Sequence, residues 1–249
     1  MNGMEATGED ALLGGRVRLL QTKDGYRAAI DPVLLAAALK AKPGDKVLDL
    51  GSGVGAASLC LVARVSGITL KGLDIQPQLV DLANENAILN DCGDNVSFVA
   101  GDIIDLPGEI EEGTFDHVIA NPPYLGGDSG NPPPNAGKAI ANVEGEAGLT
   151  DWVEAAVSSV RRKGSVTFIH RADRIDELLA AFHDQLGEVV VFPLWPGQGK
   201  AAKRVVVTGR KGVASPALIS PGLVLHEVNG DFTAAANAIL KDGASLSLP

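Results

Sequence analysis

Lys46-Val47-Leu48-Asp49-Leu50-Gly51-Ser52-Gly53-Val54-Gly55 is the segment on which the fold turns. A short apolar strand, KVLDL, runs into three glycines spaced two apart, and Ala56 to Val65 behind them reads as a helix. Glycine tolerates positive φ and lets a ligand come close to the backbone. The helix start supplies N–H groups that no intrahelical carbonyl satisfies.

The same alternation continues downstream. Thr69 to Leu73 is a strand ending at Asp74, and Pro77 to Asn90 a helix with Leu79, Leu82, Ala83, Asn86 and Ala87 at helical spacing. Val96 to Ala100 is a strand ending near Asp102, and Phe115 to Ala120 one ending at Asn121. A helix over Leu149 to Val160, a strand over Ser165 to His170 and a helix over Ala172 to Gln185 follow. Val189 to Leu194 and Arg204 to Gly209 are strands joined by Pro196 to Lys200 with no helix between them. Helical crossovers build a parallel sheet covered on both faces, and the hairpin-like last connection makes the final strand antiparallel. The prediction is a Rossmann-like α/β fold with a mostly parallel seven-stranded sheet and helices on both faces. Ahead of it, Gly15 to Leu20 and Tyr26 to Ile30, with turn residues over Thr22 to Gly25, predict a β-hairpin or loop pair. Asp31 as N-cap and Pro32 at the first helical position then open a helix over Val33 to Leu39. Residues 1–30 are thus expected to be an N-terminal β-hairpin extension, 31–211 the main domain, and 212–249 a C-terminal extension packed on it. The Gly/Pro/Asn-rich stretch 126–137 is expected to be a surface loop beside the sheet and a candidate lid.

Composition narrows the classes. The 249 residues carry 21 Lys+Arg and 31 Asp+Glu, a net charge of -10, which argues against a simple basic nucleic-acid binder or a polybasic membrane-surface protein. The charge is segregated: Gly72 to Ala120 holds 11 acids and no Lys or Arg, whereas Arg161 to Lys211 holds 10 basic and 5 acidic residues. Lys200, Lys203, Arg204, Arg210 and Lys211 fall close together in the basic half. Cys60 and Cys92 make no disulfide framework and have no metal-ligand spacing, so no metal is expected and Cys60 reads as a small buried hydrophobe. No run approaches the roughly 20 apolar residues that cross a bilayer, and the acidic start lacks a signal peptide's features, so a cytoplasmic protein with no membrane contact is expected.

The unusual polar residues fall at predicted strand ends, where ligands bind in such sheets. Asp49 before the glycine turn would repel a pyrophosphate and attract a cation, and the third glycine of a dinucleotide fingerprint is missing. Asp74, 19 residues after Gly55, suits two ribose hydroxyls, or else caps the following helix. Asp102 could accept from an adenine amine, with Ile75 or Ile103 packed on the ring, or could be a turn residue. Asn121-Pro122-Pro123-Tyr124 is the most specific feature. Two prolines remove two N–H donors and stiffen the chain. What remains are acceptors, the Asn121 side-chain oxygen and the Pro122 carbonyl, and the flat face of Tyr124. That combination suits a planar substrate carrying an –NH2 group. Accepting both N–H protons favours a more tetrahedral nitrogen and frees its lone pair.

With these residues in view, the chain resembles the class I S-adenosylmethionine-dependent methyltransferases over about Asp31 to Gly209. Asn121 to Tyr124 resembles the amino-methyltransferase signature shared by adenine-N6 and glutamine-N5 enzymes. Within that group the chain is most similar to bacterial tRNA adenine-N6 methyltransferases acting on the anticodon loop of a valine tRNA. The resemblance implies S-adenosyl-L-methionine as cofactor, held by Asp49, Gly51, Ser52, Gly53, Gly55, Asp74, Ile75, Asp102, Ile103 and Asn121. It implies that Asn121, Pro122, Pro123 and Tyr124 hold the target amine, and that tRNA is the substrate. Arg171, Lys203 and Arg204 are candidate phosphate contacts.

Other functions compete. A glutamine-N5 enzyme of the release-factor type usually carries an N-terminal helical domain, whereas about 45 partly β residues precede the first strand here. A non-catalytic binding module would not need site residues at all four strand ends. A dinucleotide-dependent oxidoreductase is disfavoured by Asp49 and the Pro-Pro-Tyr turn. His117 reads as packed inside its strand, Trp152 and Trp195 as core or edge anchors, and Glu144 and Glu146 as residues without an assigned role.

Overall fold

The computed structural model describes residues 7–22, 30–123 and 147–249. Strands β1 (Thr7–Leu12) and β2 (Val17–Thr22) form an antiparallel hairpin across a 3-10 turn at Leu13–Gly15. The partner of β2 in this hairpin therefore precedes it. The acidic stretch Gly8–Asp10 lies in β1, where Glu9 meets Arg18 of β2, Nε to Oε1 at 2.7 Å. Most of the turn and second run expected after β2, residues 23–29, lies outside the described residues.

Helix α1 (Ile30–Ala38) begins one residue before Asp31, so Asp31 sits within its first turn and is not the N-cap. The carboxylate instead accepts from Arg204 Nε at 2.9 Å, and almost the whole helix is buried. The expected alternation then follows: β3 (Lys46–Leu50), α2 (Ala56–Arg64), β4 (Thr69–Asp74), α3 (Pro77–Leu89), β5 (Val96–Ala100) and β6 (Phe115–Ala120). After the undescribed segment come α4 (Leu149–Ser159), β7 (Val160–Arg171), α5 (Ile175–Phe182), β8 (Leu186–Trp195) and β9 (Arg204–Lys211). A 3-10 turn at Ala172–Arg174 takes the place of the expected first turn of α5.

Seven of these strands form a sheet in the order β5-β4-β3-β6-β7-β9-β8. All neighbours are parallel except β9, which is antiparallel to β7 and β8. Two two-residue strands, β10 (Leu218–Ile219) and β11 (Leu223–Val224), add to β8 and bring the sheet to nine. Successive side chains alternate between faces. Val47, Ile119 and Val206 thus enter one core with α1, α2 and α3, while Leu48, Val118 and Val207 enter the other with α4 and α5.

Two asparagines of α3 and its C-cap Asn90 act on strand backbones. Asn84 Nδ2 donates to Phe98 O and Asn84 Oδ1 accepts from Phe98 N, both at 3.0 Å. Asn86 does the same to Leu20, at 3.0 and 2.7 Å, and Asn90 to Arg18, at 2.7 and 2.9 Å. Helix α3 thereby ties the hairpin on one side and β5 on the other. The segment after β9 runs back over α1. Thr233 caps α6 (Ala234–Leu240) by accepting from Ala236 N, and Leu246 N donates to Ala37 O at 2.8 Å. Arg64 fastens this segment, donating to Gly243 O and Ser245 Oγ at 3.0 Å each and to Ala36 O.

Candidate active site

Strand register decides what meets at the carboxyl edge of the sheet. Leu50 pairs with Leu73 on one side and with Ala120 on the other, and Asp74 pairs with Ala100. The glycine turn, Asp74 and Asn121 therefore leave the sheet at one level, with Asp102 just beyond the end of β5.

Asp49 is 2% exposed, on the α2 side of β3. Its Oδ2 accepts from Ser58 Oγ at 2.6 Å. Burial pushes the Asp49 carboxyl up to about 7; the Ser58 hydroxyl opposes the rise and the neighbouring Asp74 adds to it. Asp74 is also buried, and burial raises its pKa against two backbone donors. Those donors are Gly53 N, to Oδ2 at 2.8 Å, and Gln76 N, to Oδ1 at 2.9 Å. One carboxylate thus braces the crest of the glycine turn and the approach to α3. Asp102 is half-buried and accepts from Ile104 N at 3.0 Å, the turn role that its position also allowed.

Gly51, Gly53 and Gly55 all have positive φ, from 54° to 84°. At Gly51 a Cβ would lie 2.5 Å from Cη2 of Trp152, so the rim of the α4 indole packs against the turn. At Gly53 a Cβ would meet nothing within 4 Å, so the crest faces open space. Ser52 Oγ is buried beneath the turn without a hydrogen-bond partner among the described residues. Ile75, next to Asp74, is 62% exposed, whereas Ile103 packs partly against the α4 and α5 core. Asn121 and Pro123 are half-buried and Pro122 is buried at the end of β6. Tyr124 lies outside the described residues, as do 126–137, Glu144 and Glu146. An open glycine crest ringed by carboxylate acceptors fits a ligand rich in hydroxyl and amine donors with a positive charge. It does not fit a pyrophosphate.

The basic candidates separate in space. Strand β9 places Arg204 at the carboxyl edge, opposite Arg171 of β7, and Lys211 at the far end. Lys211 Nζ donates to Val157 O and Val160 O at the end of α4, and Arg210 donates to Lys163 O and pairs with Glu188. Those two hold the fold together far from the site. Arg204 pairs with Asp31, and Arg171 with Asp173, while Lys203 is exposed. Between them His170 is fully buried; burial, then Arg174, Arg204 and Arg171, press its imidazole down to about 4, so it is neutral at pH 7.

His117 is packed as expected, bridging Ser165 Oγ at 2.7 Å and Asp45 Oδ2 at 3.1 Å. Cys60 is buried and free. Among the described residues no group of His, Cys, Asp and Glu could hold a metal ion, and no helix is long and apolar enough to cross a membrane. Trp152 under Gly51, Ser58 on Asp49 and Asp31 on Arg204 are contacts that sequence reasoning missed. Only the spacing of Trp152 on the buried stripe of α4 hinted at its place.

A parallel sheet of this order, with an antiparallel last long strand, a glycine turn after its central strand and carboxylates at the next two strand ends, defines a class I methyltransferase. The profile of the methyltransferase domain family matches residues 41–201, and the chain belongs to that family: it is an S-adenosyl-L-methionine-dependent methyltransferase. It is similar to a tRNA1(Val) (adenine(37)-N6)-methyltransferase of Shewanella baltica, 26% identical over 88% of this chain and 92% of that one. One from Haemophilus influenzae is 24% identical over 89% of this chain and 93% of its own length. Among solved structures, a protein described as a predicted O-methyltransferase from Agrobacterium tumefaciens shares the fold, with a TM-score of 0.72 at 22% identity over 87% of this chain and 98% of that one.

Proposed function

We propose that this chain methylates the exocyclic N6 amine of an adenine in tRNA, as a cytoplasmic enzyme. The observation that carries the reading is the Leu50–Ala120 pairing, which sets Asn121-Pro122-Pro123 directly beside the glycine turn. The names of the curated relatives support the same substrate.

In this reading Gly51, Ser52, Gly53 and Gly55 form the cofactor cradle, and Asp49 beneath it sets a negative charge under the cationic portion. Asp74 accepts from ribose hydroxyls, Asp102 from the adenine amine, and Ile75 and Ile103 flank the ring. S-adenosyl-L-methionine, when bound, supplies an electrophilic methyl group on a cationic sulfur. The Asn121 side-chain oxygen and the Pro122 carbonyl accept the two protons of the target amine, orienting it and freeing its lone pair. Pro123 keeps the corner stiff and donor-poor, and Tyr124 stacks on the base. The target nucleotide has to be unstacked to reach this corner. Lys203 and Arg171 meet RNA phosphates, and Arg204 is held by Asp31 at the same edge.

The test is mass spectrometry of nucleosides after incubating the chain with undermodified tRNA and labelled cofactor. N6-methyladenosine is expected. Label on a release-factor glutamine, or on neither substrate, would overturn the proposal.

A further inference from the structure

Trp195 ends β8 at the same edge of the sheet, beside the connection from Pro196 to Lys203. Its indole Nε1 donates to Pro221 O at 2.9 Å. Gly222 lies so near that a Cβ there would be 2.8 Å from Nε1 and 2.1 Å from Pro193 O. One rim of the ring is therefore clamped, and the sequence-based reading of Trp195 as an edge anchor holds for that rim. Trp195 also lines an open cleft of about 490 Å³, with Gly197, Lys200, Ala201 and Val224 among its other walls. That volume lies within the range of small-ligand sites. The connecting stretch 196–204 carries Lys200, Lys203 and Arg204 and no acid. Lys200 and Lys203 are exposed and have no ion-pair partner among the described residues.

We propose that this cleft receives an unstacked nucleotide of the RNA substrate, one a few positions from the target adenosine, with its base on Trp195 and its phosphate at Lys200. The inference rests on the RNA reading above and adds a second contact point to it. A clamped aromatic wall presents a flat face at little entropic cost, and stacking on it accepts any base. The separation fits. Strands β6 and β8 are three steps apart in the sheet, and Trp195 lies three residues further along its strand than Asn121 does along β6. At about 4.8 Å per strand step and about 3.3 Å per residue, the two backbones are roughly 17 Å apart, a span of a few nucleotides. The intervening edge carries Arg171 and Arg204, so the backbone of the RNA crosses cations between the two points.

The experiment measures tRNA methylation kinetics and cofactor affinity of the full chain carrying Trp195→Leu, Trp195→Phe or Lys200→Ala. Trp195→Leu is expected to raise the KM for tRNA about tenfold, with kcat and cofactor affinity unchanged, while Trp195→Phe keeps most of the binding. Lys200→Ala is expected to lower the salt slope of RNA binding by about one. Short-wavelength ultraviolet irradiation of the wild-type complex should cross-link RNA to the peptide containing Trp195. If the wild type methylates tRNA, but Trp195→Leu does so at unchanged KM and no cross-link forms there, the cleft is not an RNA subsite and the proposed function stands. If Trp195→Leu does not fold, an unchanged salt slope for Lys200→Ala together with the missing cross-link overturns the inference equally. If the wild type methylates no RNA, both fall.

Discussion

At Asp49 a carboxylate stands beneath the glycine turn with one hydroxyl for company. Its folded-state pKa, about 7 against an ordinary 3.8, means that the folded form holds a proton where the unfolded chain has lost it. Its contribution to stability is complete below about pH 4 and is lost as pH rises through 7, by roughly 4 kcal/mol at most from the linkage of pKa to free energy. Asp49→Asn should therefore gain melting temperature over the wild type between pH 5 and pH 8, as read by thermal unfolding. Its cofactor affinity at pH 8, where the wild-type carboxylate is ionised, should fall at least tenfold by calorimetry, because the cation loses its counter-charge. For Asn121→Ala the split is the reverse: methyl transfer falls about 10²-fold or more while cofactor affinity holds. Equal loss of both would place Asn121 in the cofactor cradle alone. The importance of Asp49 was legible, since an acid ahead of a glycine turn is unusual. Ser58 was not, because nothing in a helical serine says which carboxylate it will face.

Among the elements, β3, β5 and β6 were legible to the residue, because short apolar runs bounded by turn residues leave little choice of register. Strand β1 was not legible, because its acidic stretch breaks the apolar alternation that marks a strand. The Arg18–Glu9 contact and the bonds from Asn86 and Asn90 add to the pairing, and a local pattern encodes neither. Asn86 is fully buried and satisfies Leu20 N, Leu20 O and also Val54 O, the last at 3.0 Å on the glycine turn. Asn86→Leu strands those backbone groups and is expected to cost about 3 kcal/mol in denaturant unfolding. Amide exchange at Leu20 should accelerate in the same variant, and unchanged exchange would show that the hairpin does not depend on this helix.

On the scale of the molecule, charge and packing divide the work of the cations. Of five basic residues that cluster in sequence, β9 carries two to the far end, where they secure helix and strand ends. Charge reversal at Lys203 should weaken RNA binding and flatten its salt dependence without changing stability. Reversal at Arg204 should lower the melting temperature as well, because it sets two like charges against each other at Asp31. Arg64 holds the segment 241–249 onto α1 and α2, where Leu246 and Leu248 are buried. Arg64→Ala should cost about 2 kcal/mol and open that segment to limited proteolysis, which an intact digestion pattern would refute. This packing was not legible, because residues 212–249 carry no repeat or charge pattern that announces what they cover. The amides of Asn84, Asn86 and Asn90 have one more effect. A bare β rim is an invitation to other chains, and proteins commonly turn it away with lysines, prolines or bulges. Here α3 and its C-cap fill Phe98 on the rim of β5 and Leu20 and Arg18 on the rim of β2 with side chains that imitate peptide groups, so those backbone positions are closed to a further strand.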